Sequence, residues 1–341
     1  MKHNSGAVPT GQMALWDNRL QTELRQAAAF GARGRAVAGV VPSGSIAVDA
    51  ALGIGGLPRG RMVELFGPAG VGKSTLALQV IAAAQGEGQT AALVDVECTF
   101  DAAYAAKLGV QLERLVLLRA DSGEQALRMV ERLVVSQGVD LVVVDSVAAL
   151  APAEELAGGA MEGSAFAHSE MVANGLRRIS RVMAQSPACV LLLNQVRAYF
   201  GFGYSETSTG GWGLKLHAAV RADLREVGQE RYGRRVAMRV VKNQLAPPGQ
   251  AELTFVEGEG WSAELEMVEL GLRHGVLSKT GSAVWFGGEL CGVAELRADV
   301  ELCVRLNSAV RAAMGLPQRR PVGRAMGAAG AARRAAGARG V

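Results

Sequence analysis

Residues 61–84 read RMVELFGPAGVGKSTLALQVIAAA, and the reading of this stretch decides the fold. Met62 to Phe66 is a short apolar run of strand character, a glycine-rich turn follows, and a helix is expected to begin near Lys73. The turn runs Gly67, Pro68, Ala69, Gly70, Val71, Gly72, Lys73, Ser74 and satisfies the pattern G-x-x-x-x-G-K-S/T in full. Glycines let the backbone curl so that successive N–H groups face a polyphosphate, and the helix adds its positive N-terminal end. Lys73 is placed to reach the β and γ phosphates as a point charge and the Ser74 hydroxyl to ligate Mg²⁺, with Thr75 beside them. The bland alternative, a glycine-rich turn that binds nothing, is disfavoured by the complete motif in its strand–turn–helix context. The stretch implies a nucleoside triphosphate site.

The rest of the chain is built to support a large core. Of 341 residues, 49% are hydrophobic and only 20% charged, which argues against global disorder and allows one large or two unequal domains. No apolar run is long enough to span a bilayer, and the opening MKHNSGAVPTGQ lacks a basic-then-apolar signal pattern. Cys98, Cys189, Cys291 and Cys303 form no CxxC pair, which suits a reducing cytoplasm, and the scattered histidines suggest no zinc site. Net charge is +4, but six of the 36 basic residues lie after position 318, where there is no acid. The remaining 30 face 32 acidic side chains, so bulk charge alone does not argue for nucleic acid.

Read in order, Asp17 to Phe30 has helical spacing with Asp17 as an N-cap, and GARGRAVAG is a linker. Residues 1–36 are therefore expected to be an N-terminal helix and linker that docks on this core or on a neighbouring subunit. Ser43 to Gly60 reads as a turn-rich lead-in closed by the turn pair Leu57-Pro58. After the phosphate-loop helix come a strand in TAALVDVE ending at Glu97, a helix from Asp101 to Leu108, a strand from Leu115 to Leu118 and a helix from Ser122 to Gln137. VDLVVVDSVAAL, residues 139–150, reads as a strand buried on both faces. A helix from Ala165 to Gln185 carries the stripe Val172, Leu176, Ile179 and Met183, and the strand ACVLLLNQV leads into a glycine-aromatic loop. Three antiparallel strands are expected in HAAVRADLREV, RRVAMRVVKN and QAELTFVE. A small α+β module at 259–318 has helical stretches at Glu264 to Arg273 and Arg297 to Ala313, and a low-complexity basic tail occupies 319–341. Alternating strands and helices predict an α/β core over 37–258 with a mostly parallel, doubly covered sheet.

In such sheets ligands sit at the carboxyl ends of the strands. Asp145 closes VVVD and is the candidate Mg²⁺ carboxylate, with a helix N-cap as its plainer role. Glu97 closes LVDVE and is the candidate base for the water that attacks the γ-phosphate; Asp95, on the same strand face, is its rival. Gln195 ends LLLNQ, where an amide can bond a γ-phosphate and switch the loop that follows, or simply satisfy a strand end. That loop, Arg197 to Thr209, carries Tyr199, Phe200, Phe202 and Tyr204, suited to stacking on bases or to plain packing.

Taken together, GPAGVGKSTLALQVIAAAQ, LVDVECTFD, VDLVVVDSVAAL, LLLNQVR, TSTGG and VVKN resemble the bacterial recombinase family RecA, collinearly from about Ser43 to Arg311. The resemblance implies an ATP-hydrolysing core that polymerises on single-stranded DNA, pairs it with homologous double-stranded DNA and activates SOS repressor self-cleavage. It matches Gly67 to Ser74 to the phosphate loop, Glu97 to the water activator, Asp101 and Tyr104 to contacts on the adenine and ribose side, Asp145 to the Mg²⁺ aspartate and Gln195 to the γ-phosphate sensor. It further implies DNA loops at about Glu154 to Ala165 and at Arg197 to Thr209, the latter extended by Gly210 and Gly211. Lys242 matches a lysine that reaches the neighbouring subunit's ATP. The chain departs from the pattern where Gln244 replaces a lysine, Glu170 an arginine and Glu264 a tyrosine, in a second loop one residue short, and in an arginine-rich tail in place of an acidic one. A regulatory or mutagenesis-accessory ATPase of the same fold, and a ring-forming helicase motor, are the alternatives.

Overall fold

Strands buried on both faces build this molecule from the centre outward. The structure is a computed structural model that describes residues 39–158, 164–201, 203–231 and 233–321. The expected helix at Asp17 to Phe30, its linker, and most of the basic tail lie outside these residues. In chain order the first elements are β1 (Val40–Val41), α1 (Ile46–Ala51), β2 (Leu57–Pro58), β3 (Met62–Gly67) and α2 (Lys73–Gly86). There follow β4 (Ala91–Asp95), α3 (Ala102–Lys107), β5 (Leu115–Leu118), α4 (Gly123–Ser136), β6 (Leu141–Asp145), α5 (Ala153–Leu156) and α6 (Ser164–Met183). Next come β7 (Cys189–Gly201), β8 (Gly203–Ser208), α7 (Gly211–His217), β9 (Val220–Glu230), β10 (Gly233–Asn243), β11 (Gln250–Val256) and β12 (Gly260–Trp261). The C-terminal part holds α8 (Ala263–Arg273), β13 (Ser278–Thr280), β14 (Ala283–Phe286), β15 (Glu289–Leu290), α9 (Val293–Ala298) and α10 (Val300–Ala313).

The large sheet runs in the order β12-β11-β10-β9-β3-β7-β6-β4-β5, with β8 paired to β7 outside this path. From β9 to β5 every neighbouring pair is parallel, whereas β9 through β12 form an antiparallel wing. Both faces are dry. Val63, Leu65, Leu93, Leu141, Val143 and Leu191 face α2 and the C-terminal helices, and Ala92, Val94, Val142, Val144, Val190 and Leu192 face α4 and α6. This two-sided burial is why those strands read as continuous apolar runs. The stripe Val172, Leu176, Ile179 and Met183 is buried as its spacing predicts. No helix among the described residues is long and apolar enough to cross a membrane.

Several boundaries differ from the sequence expectation, each for a physical reason. The lead-in contains α1, whose N-cap Ser45 accepts from Val48 N, and Leu57-Pro58 pairs as a strand with Val40 and Val41 instead of closing a turn. The strand of TAALVDVE stops at Asp95, because Asp95 turns its carboxylate onto the backbone N–H groups of Thr99 and Phe100 and bends the chain. The strand of VDLVVVDSVAAL likewise stops at Asp145 and passes into a single helical turn at Val147–Ala149. The glycine-aromatic loop is a β-hairpin in its backbone, β7 pairing with β8 from Val196↔Ser208 to Gly201↔Gly203. Arg297 to Ala313 is two helices, since the Asp299 carboxylate caps α10 at Glu301 N and Leu302 N.

One carboxylate from the C-terminal part fixes α1. Glu266 of α8 accepts from the N–H groups of Ile46 and Ala47, both at 3.0 Å, and from the Ser45 hydroxyl. Burial pushes its pKa up to about 7, against the lowering effect of those hydrogen bonds and with Asp49 adding to the rise. The folded state therefore holds this proton between the ordinary value of 4.5 and about 7, a window in which the unfolded chain has lost it. Stability contributed by the proton is complete below that window and disappears as pH rises through it. Relative to Glu266→Gln, the native chain should lose roughly 3 kcal/mol of unfolding free energy between pH 4.5 and 7. Denaturant titrations of both proteins at several pH values measure this, and parallel pH curves would remove Glu266 as the cause.

Candidate nucleotide site

β3, β7, β6 and β4 are adjacent in the sheet, and their carboxyl ends place the candidate residues side by side. Register pairs Gly67 with Gln195 and Asp95 with Asp145. The loop between β3 and α2 is shaped by left-handed backbone at Gly70 (φ 73°) and Gly72 (φ 100°), which favours glycine. At Gly72 a Cβ would also lie 2.7 Å from the Trp261 ring, so the loop rests on that side chain and its T-stacked neighbour Phe255, 5.2 Å away between centroids.

Lys73 begins α2 and is buried; its ammonium donates to the carbonyls of Gly67 (3.1 Å) and Pro68 (2.7 Å). Burial lowers its pKa, while Asp145 and Glu97 pull it back up. Burial raises the Asp145 pKa to about 6, opposed by a hydrogen bond with the Ser74 side chain and assisted by Glu97 and Asp95. Lys73, Ser74, Asp145 and Glu97 thus share one electrostatic neighbourhood.

Glu97 lies beyond the end of β4, in a bend where Cys98 takes φ 54°, and its side chain is exposed. Its Oε1 accepts from the Ser146 hydroxyl at 2.5 Å and from the Gln195 amide at 3.3 Å. Asp95 is buried and already engaged by Thr99 N, Phe100 N and, at 3.7 Å, Arg119. The geometry therefore leaves Glu97, not Asp95, facing the open site. On the far side of the loop, Tyr104 and Thr75 join their hydroxyls at 3.2 Å, and Asp101 caps α3 through Tyr104 N.

Behind Gln195 lies a buried polar network that the sequence did not announce. Asn194, fully buried, donates to Glu64 Oε1 (2.8 Å) and to the Thr209 carbonyl (2.7 Å), and accepts from Gln195 N (2.9 Å). Thr209 returns two hydrogen bonds to the Gln195 carbonyl, from its N–H at 3.1 Å and its hydroxyl at 3.2 Å. Arg221 grips the other Glu64 oxygen, donates to Ser208 Oγ at 3.1 Å and stacks 4.7 Å over the Phe66 ring. Both stems of the β7–β8 hairpin are thereby fastened to the phosphate-loop strand and to Gln195. Only the run of an Asn before Gln195 and an acid inside an apolar strand could have signalled this.

The remaining predicted residues are distributed as follows. Arg197, Tyr199 and Phe200 fall on β7 and Tyr204 on β8, and Phe202 lies outside the described residues. Gly210 is the left-handed N-cap of α7, which begins at Gly211. The first expected DNA loop falls partly on α5 and partly on residues 159–163, outside the description. Lys242 does not face the phosphate loop of its own chain: its ammonium donates to the carbonyls of Lys215 (2.9 Å) and Leu216 (3.1 Å) at the end of α7. Gln244 and Glu170 are exposed, and Glu264 is buried, accepting from Ser262 Oγ at 3.0 Å.

Comparison with known proteins identifies the family. A family model described as the RecA N-terminal domain matches residues 26–262, well over half of the chain. A protein named Protein RecA from Methylococcus capsulatus is 42% identical over 286 residues, covering 80% of this chain and 82% of the relative. Namesakes from Chloroflexus aggregans (43% over 267 residues, 76% of each chain) and Chlorobium limicola (46% over 260 residues, 74% of each) are similar in extent. With this coverage, and with a mostly parallel sheet carrying the phosphate loop at its centre, the chain belongs to the RecA family.

Proposed function

We propose that this chain is a DNA-dependent ATP hydrolase that forms filaments on single-stranded DNA and promotes homologous pairing and strand exchange in recombinational repair. The observation that carries the reading is the convergence of Lys73, Ser74, Asp145, Glu97 and Gln195 at neighbouring strand ends, with Gln195 at the root of a hairpin. Gly67 to Thr75 would cradle the triphosphate, Asp101 and Tyr104 would lie toward the base, and Glu97 would orient and deprotonate the attacking water. Ser74 and Asp145 offer two hard oxygens already in contact, which fits Mg²⁺. Among the described residues no group of three or more His, Cys, Asp or Glu could hold a metal by itself, so phosphate and water would complete the shell. When bound, the ion would offset charge on the phosphates.

Gln195, which donates to Glu97, would be free to bond a γ-phosphate instead, and the Asn194–Glu64–Arg221 network would link such a shift to Ser208 and Thr209. The hairpin aromatics and Arg197 would then meet DNA. Trp212, 84% exposed on α7 with the Lys215 ammonium 5.2 Å from its ring, adds a stacking surface and a cation at the hairpin's foot. Lys242 would leave α7 to reach the nucleotide of a neighbouring copy, and the filament would be the form that meets SOS repressor. The protein would act in the cytoplasm, with its parts divided at residues 36, 258 and 318. Exposed Gln244 and Glu170, where the family pattern has cations, support a second reading: a regulatory or mutagenesis-accessory ATPase without strand exchange, which a strand-exchange assay separates.

The test is ATP turnover with and without single-stranded DNA, over a salt series, with filaments scored by electron microscopy. Single-stranded DNA should stimulate turnover, and Lys73→Ala should abolish nucleotide-dependent filaments. Turnover indifferent to DNA, or unchanged Lys73→Ala filaments, would sink the reading.

A further inference from the structure

The crown of the phosphate loop is held from outside by an arginine to which no role has been assigned. Gly70 stands at that crown, and a Cβ built on it would have no neighbour within 4 Å, so side-chain packing does not hold it in place. Its carbonyl accepts instead from Arg234 Nη1 at 3.2 Å. Arg234 opens β10 in the antiparallel wing, and its guanidinium lies 4.6 Å over the ring of Phe255, the residue T-stacked on Trp261 beneath Gly72. The same Nη1 is shared with Glu226 Oε2 at 3.2 Å. Side-chain exposure of 30% for Arg234 and 41% for Glu226 leaves that ion pair weak.

The Gly70 carbonyl and the Val71 N–H belong to one planar peptide unit and point in opposite directions. Pinning the oxygen outward on a cation fixes the N–H inward, toward the space where a phosphate would sit. A charged donor on the oxygen also polarises the peptide, which strengthens the N–H as a donor. We propose that Arg234 is a positioning residue for polyphosphate, which acts through the Gly70–Val71 peptide, and that Glu226 competes for it. This rests on the reading of the loop as an ATP site.

The two residues are expected to act differently on ATP affinity, which a surface ion pair alone would not produce. Arg234→Ala should weaken ATP binding about tenfold, because one charged hydrogen bond to the loop is lost. Arg234→Lys, still a cationic donor, should recover part of that affinity. Glu226→Ala, which releases Arg234 to Gly70, should leave ATP affinity unchanged or tighten it. Adenosine, which has no phosphate, should bind all four proteins alike, and their urea midpoints should coincide. Calorimetric titration of full-length protein with ATP, ADP and adenosine measures these affinities. Arg234→Ala within twofold of the native ATP affinity would overturn the proposal, as would an equal loss for adenosine or a matching loss in Glu226→Ala. Native protein that binds no ATP would overturn the nucleotide reading together with it, whereas native binding with an indifferent Arg234→Ala overturns this proposal alone.

Discussion

Glu97→Ala is expected to lower DNA-stimulated ATP turnover by between about 10² and 10⁴-fold, the usual worth of a general base, while ATP and single-stranded DNA still bind. The carboxylate sits where the chain has left β4, and two donors fix it: the Ser146 hydroxyl at 2.5 Å and the Gln195 amide at 3.3 Å. Glu97 makes no hydrogen bond to Lys73, whose ammonium donates to the loop carbonyls, and it acts on that lysine only through its charge. Removal should therefore separate hydrolysis from binding. It should also release Gln195 from its partner, so that ATP holds DNA for longer than in the native protein. Steady-state turnover measured beside equilibrium ATP and DNA binding decides the matter. Turnover that persists within threefold would transfer the role of base to another group and leave Glu97 as a tether for Gln195.

Arg311→Ala is expected to destabilise the fold by about 3–5 kcal/mol, because it strands a buried carboxylate. Arg311 of α10 donates to Asp49 of α1 at 2.7 Å, with the two side chains only 3% and 0% exposed. The other Asp49 oxygen accepts from the Ser43 N–H at 3.0 Å and the Ser43 hydroxyl at 2.6 Å. Those neutral donors cannot replace a guanidinium in so buried a site, and the cost of the unpaired charge exceeds the modest net worth of the intact pair. Urea unfolding gives the loss directly. The paired variant Asp49→Asn with Arg311→Met, which removes both charges, should recover part of it. A loss below about 1 kcal/mol for Arg311→Ala would show that Asp49 is served by solvent or by protonation.

What the sequence disclosed divides along the distance between interacting residues. The phosphate loop was legible because its glycines, lysine and hydroxyl are contiguous and their backbone geometry is local. The sheet was legible because strands buried on both faces leave unbroken apolar runs. Strand ends were less so at β4, where TAALVDVE reads through to Glu97 although the strand stops at Asp95. The choice between Asp95 and Glu97 was open for the same reason, since placing both on one strand face ignores the bend that Asp95 itself creates. α1 escaped notice because six residues have little helical preference of their own, and its end is capped by Glu266 from the far end of the chain. The Glu64–Asn194–Arg221 network was equally hidden, because its members come from three separate strands. The contact of Lys242 with α7 was hidden likewise, because it joins a strand to a helix more than twenty residues earlier.

The aromatic floor under Gly72 has a bearing on how the protein is made. Trp261 and Phe255 leave the ribosome long after the loop they support, and after every strand of the parallel region. A nascent chain that stops short of β11 has the whole phosphate motif in its sequence but nothing beneath it. Such a chain is expected to hold a nucleotide less well than one whose β11 and β12 are in place, which nucleotide binding by a chain cut before β11 would measure.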